Sequence, residues 1–523
     1  MNAHYLSQYL DNSASRAPDQ IALIDEQTSL SFAALRDDAR RMAAWLQQQG
    51  IERGDRVIVL MSNSCALAQC FWAVQLCGAV YVPLHPETKA DKLAWIIDDC
   101  TASLLIADAD YEGEALRARV MSASPPALVI AGSSQQGETE LAQLLRCRER
   151  WRAPTLLALD LASIIYTSGS TGKPKGVMLT QRNMLAASQS VAHYLQLSAE
   201  DRIYCALPLS FDYGLQQLIM AARVGATVII EKNFSQPLFA LHRMVKQRAT
   251  VFPLVPTMVS LIAPLSRRFD FSHIRTVTST SAALHAPDIT LLRDLFPAAR
   301  LYSMYGLTEC HRCTWLDPQQ LDARTLSVGK AIPGTEMWVI DADGREQRKN
   351  ATGELVIRGE TVMRGYWNNP QKTAEKLRPG RFPGEVVLYT GDICRLDEEG
   401  FLYFISRTDD VLNSAGEKVA PREVENVLAA HPQITQVAVV GVPHAVYGDE
   451  IVAWIETDQP LALQPLRDWC RARLEHYMVP HRFMLARALP KNGNNKIDRL
   501  ALKALSQQPE PQPLTAGEKH AEL

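Results

Sequence analysis

An α/β protein is expected, with a large N-terminal domain on sizeable buried sheets and a small α+β C-terminal domain. Three observations predict it. Short β-branched runs alternate with helix-spaced apolar positions through the first part of the chain. Near residue 335 the texture changes to short segments separated by turn signals. Beyond residue 410 a helix, two strands and a further helix fill about a hundred residues, the size of one small domain.

The elements follow in order. From Ser31 onward, Phe32, Leu35, Ala39, Met42 and Leu46 recur at helical spacing, and Gly50 marks the stop. The run 56–60 is β-branched and apolar, and further short runs lie at 103–107, 127–131, 163–166, 227–230, 250–255 and 301–304. Most are bounded by Gly, Pro, Asp or Asn, as strands are. Turn signals at 341–344, 353–359 and 397–400 predict hairpins in a β-rich antiparallel subdomain over 335–405. Arg407-Thr408-Asp409-Asp410 marks the boundary between domains at 1–408 and 409–505. The second is expected to hold helices at 421–431 and 465–477 and strands at 436–442 and 451–455. The tail 506–523 is polar and proline-containing and reads as disordered.

Composition narrows the classes. The 523 residues are 47% hydrophobic and 21% charged, with 54 basic against 57 acidic side chains. That balance gives no support for a nucleic-acid binder, which carries a basic surplus. The N-terminus lacks a basic start followed by an apolar core, so no secretory signal is expected. The longest apolar stretch, 71–84, is interrupted by Gln75 and Gly78 and is shorter than the ~20 residues of a membrane span. Ten dispersed cysteines read as reduced thiols in a cytoplasm. The one CxxC, Cys310 to Cys313, has no second pair at zinc spacing.

The strongest local signal is the segment 163–177, where an apolar strand enters a loop of glycines, hydroxyl residues and lysines. Gly169 and Gly172 let the backbone approach an anion closely, and Thr167, Ser168, Ser170 and Thr171 can donate to phosphate oxygens. Lys173 and Lys175 add positive charge. Pro174 after Gly172-Lys173 excludes the Walker pattern, and no dinucleotide fingerprint is present. Four other segments stand out: Tyr302-Ser-Met-Tyr-Gly-Leu-Thr-Glu309, Leu388-Tyr-Thr-Gly-Asp392, Ile405-Ser-Arg-Thr-Asp-Asp410, and the Lys/Asn/Gly stretch 489–499 around Lys496.

The segment 166–177, YTSGSTGKPKGV, is similar to the phosphate loop of the AMP-forming adenylating superfamily: acyl-CoA synthetases, nonribosomal peptide synthetase adenylation domains and luciferases. The resemblance takes in the other four segments in order, from residue 1 to about 503. It implies two α/β sheets and a small β-barrel-like subdomain, with a mobile C-terminal domain. By the same resemblance Tyr305, with Gly306, packs on adenine, Thr308 contacts phosphate and Glu309 holds Mg²⁺. Asp392 accepts the ribose hydroxyls, Arg407 contacts ribose or phosphate, and Asp409 is the hinge. Lys496 matches the lysine that meets the charge developing in adenylation, although Asn495 stands where glycine is usual. Gly416, Glu417 and Lys418 match a segment lining the rearranged site. The implied chemistry uses MgATP to convert a carboxylate into an acyl-adenylate, after which a thiol displaces AMP.

The substrate is less constrained. Asp212, in Pro208-Leu-Ser-Phe-Asp-Tyr-Gly214, matches an aspartate that binds the ammonium in amino-acid-activating members; the other reading is a local Asx turn. Tyr213, Gln216, Val277, Ser279, Met304, Arg312 and Cys313 align with the same pocket, a mixture too polar for a long fatty acyl tunnel. Arg312 binds a second carboxylate or pairs with a neighbouring acid, and the sequence does not separate the two. Fewer than thirty residues follow Lys496, so a stand-alone enzyme is expected, its acceptor the phosphopantetheine thiol of a separate carrier protein or CoA. The want of an evident basic clamp for CoA favours the carrier protein.

Overall fold

Val57 and Val59 pack into one hydrophobic core while Ile58 and Leu60 pack into another, so the strand Arg56–Leu60 is buried on both faces. This explains its unbroken apolar sequence, which marks a strand inside a parallel sheet. The structure, a computed structural model, describes residues 3–167, 174–280, 284, 286–408, 412–414, 417–444, 448–457, 461–474, 476–492 and 496–507. The chain divides into two compact units, Met1–Phe404 and Ile405–Leu523.

The first unit holds two large sheets. In the eight-stranded one, Leu161–Thr167, Val80–Leu84, Arg56–Leu60, Leu104–Asp108, Ala127–Ala131 and Thr139–Glu140 run parallel. Lys175–Thr180 and Gly365–Tyr366 extend its other edge antiparallel. In the nine-stranded sheet the parallel order is Arg300–Tyr305, Thr276–Ser279, Val251–Leu254, Arg202–Cys205, Thr227–Ile230 and Ile21–Ile24. The chain moves from Arg202–Cys205 to a neighbour on one side, then returns to Val251–Leu254 on the other. Such a reversal of strand order is where open α/β sheets bind ligands, beyond the carboxyl ends of the strands.

A six-stranded sheet includes Thr335–Ile340, Ala351–Gly359 and Val386–Leu396, paired antiparallel as the sequence predicts for this region. Turns close at 341–344 and 397–400, where Gly344 and Gly400 donate to Asp341 and Asp397 carbonyls at 3.0 Å. The expected turn at 353–359 is instead the strand Ala351–Gly359. Leu355 and Ile357 enter one core and Val356 another, and that burial fixes the extended chain. Gly353 marks close approach rather than a turn, since a Cβ there would lie 1.9 Å from the Ile340 carbonyl oxygen.

The second unit is a five-stranded sheet with a core on each face. Along Gln436–His444, Ala438, Val440 and Val442 face Leu489 and Leu502, while Val439 faces Val424, Leu428 and Leu466. Its first helix is Pro421–Ala429, and the helix expected over 465–477 is Leu463–Arg471 followed by a 3₁₀ turn at His476–Met478. The final helix, Arg499–Ser506, ends on a buried serine whose hydroxyl accepts from Trp454 Nε1 at 2.8 Å. The expected tail boundary at 506 is therefore early by at least that residue. Among the described residues no helix is long and apolar enough to cross a membrane.

Candidate active site

Two strands carry the phosphate-loop hairpin. Thr167 ends Leu161–Thr167 and pairs with Lys175, the first residue of Lys175–Thr180. Ser168, Gly169, Ser170, Thr171, Gly172 and Lys173 lie outside the described residues. Tyr366 pairs with Val177 on the outer edge of this hairpin, and its hydroxyl donates to Glu309 Oε1 at 2.7 Å. The Lys175 ammonium sits 5.8 Å from the centre of the Tyr366 ring. The fold thus gathers Lys175, Tyr366 and Glu309. Tyr366 carried no sequence signal, because an aromatic on a two-residue edge strand has no motif of its own.

Glu309 lies in the turn after Arg300–Tyr305, with Thr308 half-buried beside it. The chain doubles back at once, since Cys313 N–H donates to Tyr305 O at 3.0 Å. Gly306 makes this possible: a Cβ there would stand 2.2 Å from the His311 carbonyl oxygen. The Tyr305 hydroxyl donates to Asp392, a buried carboxylate in Val386–Leu396. Burial first, and then Asp392, push the Tyr305 phenol well above its ordinary range, so it remains a donor. Asp392 is seated in turn by its N–H on Thr390 Oγ1 at 3.0 Å.

A small cavity lies between the helices Gln181–Tyr194 and Asp212–Val224 and the strands Thr276–Ser279 and Arg300–Tyr305. Tyr213, Gln216, Met304 and Arg312 of the expected set form part of its wall, together with Thr278 and His311. Ala187, Val191, Leu195 and Met220 supply the apolar remainder. Arg312 is buried, with one N–H donated to Thr280 Oγ1 at 3.2 Å and its guanidinium 4.6 Å from the Tyr213 ring centre. Tyr213 is held by its hydroxyl at 2.7 Å from Thr278 Oγ1. Both side-chain polar atoms of Gln216 and both ring nitrogens of His311 are buried without a partner among the described residues. Burial, opposed by Asp212 and assisted by Arg312, pulls the His311 pKa down to about 4, so the ring is neutral at pH 7.

Asp212, Val277, Ser279 and Cys313 are not in that wall. Val277 and Ser279 alternate with Thr278 along one strand, which turns them to its other face. Cys313 is buried with its sulfur 2.8 Å from that of Cys310. Asp212 opens the helix Asp212–Val224, half-buried, and its Oδ1 accepts from Tyr213 N–H at 2.8 Å. Gly214 fixes this helix start, because a Cβ there would lie 2.2 Å from the Pro208 carbonyl oxygen. His311 was missed in sequence because its backbone has φ 54°, a left-handed conformation that histidine letters do not announce.

The remaining residues belong to the second unit. Arg407 ends the strand Leu402–Arg407 and is exposed. Lys496 is exposed; Asn492 N–H donates to Lys496 O at 2.7 Å and Lys496 N–H to Asn492 Oδ1 at 3.1 Å. Asn495, Asp409 and Gly416 lie outside the described residues. Glu417 and Lys418 sit on the strand Glu417–Val419.

The sequence pattern of the AMP-binding enzyme family matches residues 10–367, and that of the AMP-binding enzyme C-terminal domain matches 423–496. The chain belongs to the AMP-binding enzyme family. Tyrocidine synthase 1 of Brevibacillus parabrevis is 30% identical over 531 residues, 99% of this chain and 46% of that protein. The chain therefore spans about half the length of that relative, and only 6% of a linear gramicidin synthase from the same organism. The 2-succinylbenzoate–CoA ligase of Bacillus subtilis (strain 168) is 29% identical over 498 residues, covering 95% of this chain and 97% of the ligase. Among solved structures, the Bacillus subtilis o-succinylbenzoate CoA synthetase with its acyl-adenylate intermediate superposes at TM-score 0.82. It is 27% identical, over 95% of this chain and 97% of that one. The same synthetase has been solved with ATP and magnesium ion. ATP-bound MatB from Rhodopseudomonas palustris superposes at 0.85 with 26% identity, over 96% and 99% of the two chains. Fold and family are those of AMP-forming ligases.

Proposed function

We propose that this chain adenylates a small amino acid or polar carboxylic acid with ATP and passes the acyl group to the phosphopantetheine thiol of a carrier protein. The observation that carries the substrate half is the cavity wall, where a buried guanidinium, an amide and an imidazole stand among apolar side chains. A purely hydrocarbon acid would leave the amide and the imidazole without partners.

The residues present fit a nucleotide and its metal. Tyr305 offers a flat ring for adenine, and the buried Asp392 carboxylate beside it suits ribose hydroxyls. Lys175, Thr167 and Thr308, with Ser168, Gly169, Ser170, Thr171 and Gly172, would bind the phosphates. Glu309 is a hard carboxylate oriented through one oxygen by Tyr366, and it would hold Mg²⁺ through the other. Bound there, the ion would neutralise phosphate charge. By the family resemblance Lys496 would meet the charge that grows on the α-phosphate as the carboxylate attacks, and Arg407 would contact ribose or phosphate. Asp409 serves as hinge between the adenylation and thiol-transfer arrangements.

A second reading, CoA as the acceptor, is favoured by similarity to CoA ligases along nearly their whole length. Pyrophosphate release from MgATP, screened over amino acids, β-amino acids and short polar acids, tests adenylation. Supplying CoA and, separately, a holo-carrier protein then distinguishes the acceptors by which one forms a thioester. An amino acid whose activation is abolished in Asp212→Ala supports ammonium recognition. Activation confined to acids without an amino group makes Asp212 structural.

A further inference from the structure

Arg312 is a buried cation, only 6% exposed, and among the described residues no carboxylate lies within ion-pair distance of it. Its partners are a threonine hydroxyl and an aromatic face, both neutral. Elsewhere in this chain buried charge is treated differently: the nearly inaccessible Asp201 is paired with Arg275, and Glu425 with Arg499 and Arg422. A guanidinium removed from water without a counter-charge is unfavourable, and a site that keeps one has a use for it.

The groups around it share the same want. Gln216 and His311 are 4% and 2% exposed, line the same cavity, and among the described residues have no hydrogen-bond partner at any side-chain nitrogen or oxygen. All three residues line that one cavity, and among them they carry a guanidinium N–H fork, an amide NH₂ and one imidazole N–H. A carboxylate is planar, accepts only, carries the missing charge and matches the guanidinium fork with two parallel hydrogen bonds. An ammonium would be repelled by Arg312, and an alkyl group would leave Gln216 and His311 unsatisfied and Arg312 without a counter-charge.

Resting on the adenylation reading of this site, we propose that the acid substrate carries a second carboxylate, remote from the reacting one, and that Arg312, Gln216 and His311 bind it. The substrate class is thus a short dicarboxylic acid or an acidic amino acid. The reacting carboxylate stays free to attack ATP while the remote one anchors the molecule, which fixes its orientation as well as its identity.

The test compares short diacids with their monoamides and with aliphatic monoacids of equal length, with and without an α-amino group. The kcat/KM for pyrophosphate release is expected to favour the diacid over its monoamide by on the order of 100-fold. In Arg312→Met that ratio is expected to collapse toward one, and in the near-isosteric Gln216→Met it is expected to fall several-fold. A wild-type enzyme that uses the monoamide or monoacid as well as the diacid overturns the proposal, while leaving adenylation intact. If no acid drives pyrophosphate release, adenylation itself fails. Calorimetry with the diacid alone then decides the pocket: binding that Arg312→Met removes supports it, and no binding overturns it.

Discussion

Gly306 shows how one missing side chain sets the site. Its Cα lies so near the His311 carbonyl that a methyl group would have to push the chain bearing His311 and Arg312 aside. Gly306→Ala is expected to lower kcat/KM for the acid at least tenfold, chiefly through KM, measured by pyrophosphate release. Tyr305→Phe removes the hydroxyl donated to Asp392. A hydrogen bond to a charged group is worth about 1.5–3 kcal/mol, so the KM for ATP is expected to rise roughly 10- to 100-fold. Motif residues such as Tyr305, Asp392 and Lys175 were legible because their letters carry the chemistry directly. Tyr366 and His311 were not. The first reaches Glu309 only through strand pairing, and the second reaches the cavity only through a left-handed backbone angle.

Strands of the nine-stranded sheet are tied together at their amino ends by Asp201. It precedes Arg202–Cys205, accepts from Thr250 Oγ1 at 2.8 Å ahead of Val251–Leu254, and pairs with Arg275 ahead of Thr276–Ser279. Burial raises its pKa, but Arg275, Ser198 N–H and Thr250 outweigh burial and hold it below the usual carboxylate range. The sign follows: the stabilisation is fully present above the unfolded value near 3.8, and is lost as pH falls through the lower folded-state value. Asp201→Asn is expected to cost about 2 kcal/mol at pH 7, a difference from wild type that shrinks below pH 4 in urea unfolding. Strands such as Arg56–Leu60, Ala127–Ala131 and Thr227–Ile230 were readable because burial on both faces writes continuous apolar runs. Ala351–Gly359 was read as a turn because its glycines serve close backbone approach, a reason that only the neighbouring strand reveals.

On the scale of the whole chain, each unit owns its core, and in the second a single carboxylate organises the helices around the sheet. Glu425 is buried, with Arg499 Nη1 at 2.6 Å, Arg422 Nη1 at 3.4 Å and Val439 N–H at 2.7 Å. Glu425→Gln leaves two arginines short of their charge partner and is expected to destabilise this unit by about 3 kcal/mol. Hydrogen exchange would then quicken in Pro421–Ala429 and Gln436–His444 while the strands of the first unit keep their protection. The nine-stranded sheet separates two duties along its length. Asp201 and its partners bind the amino ends, and the cavity lies toward the carboxyl ends, with Thr278 three residues beyond Arg275, roughly 10 Å at strand rise. Changes to the wall at Gln216, Met304 or Arg312 leave that lashing untouched. On the proposed reading of this cavity the molecule is suited to retargeting: libraries confined to those positions are expected to redirect acid selectivity while the lashing at the other end of the sheet is kept.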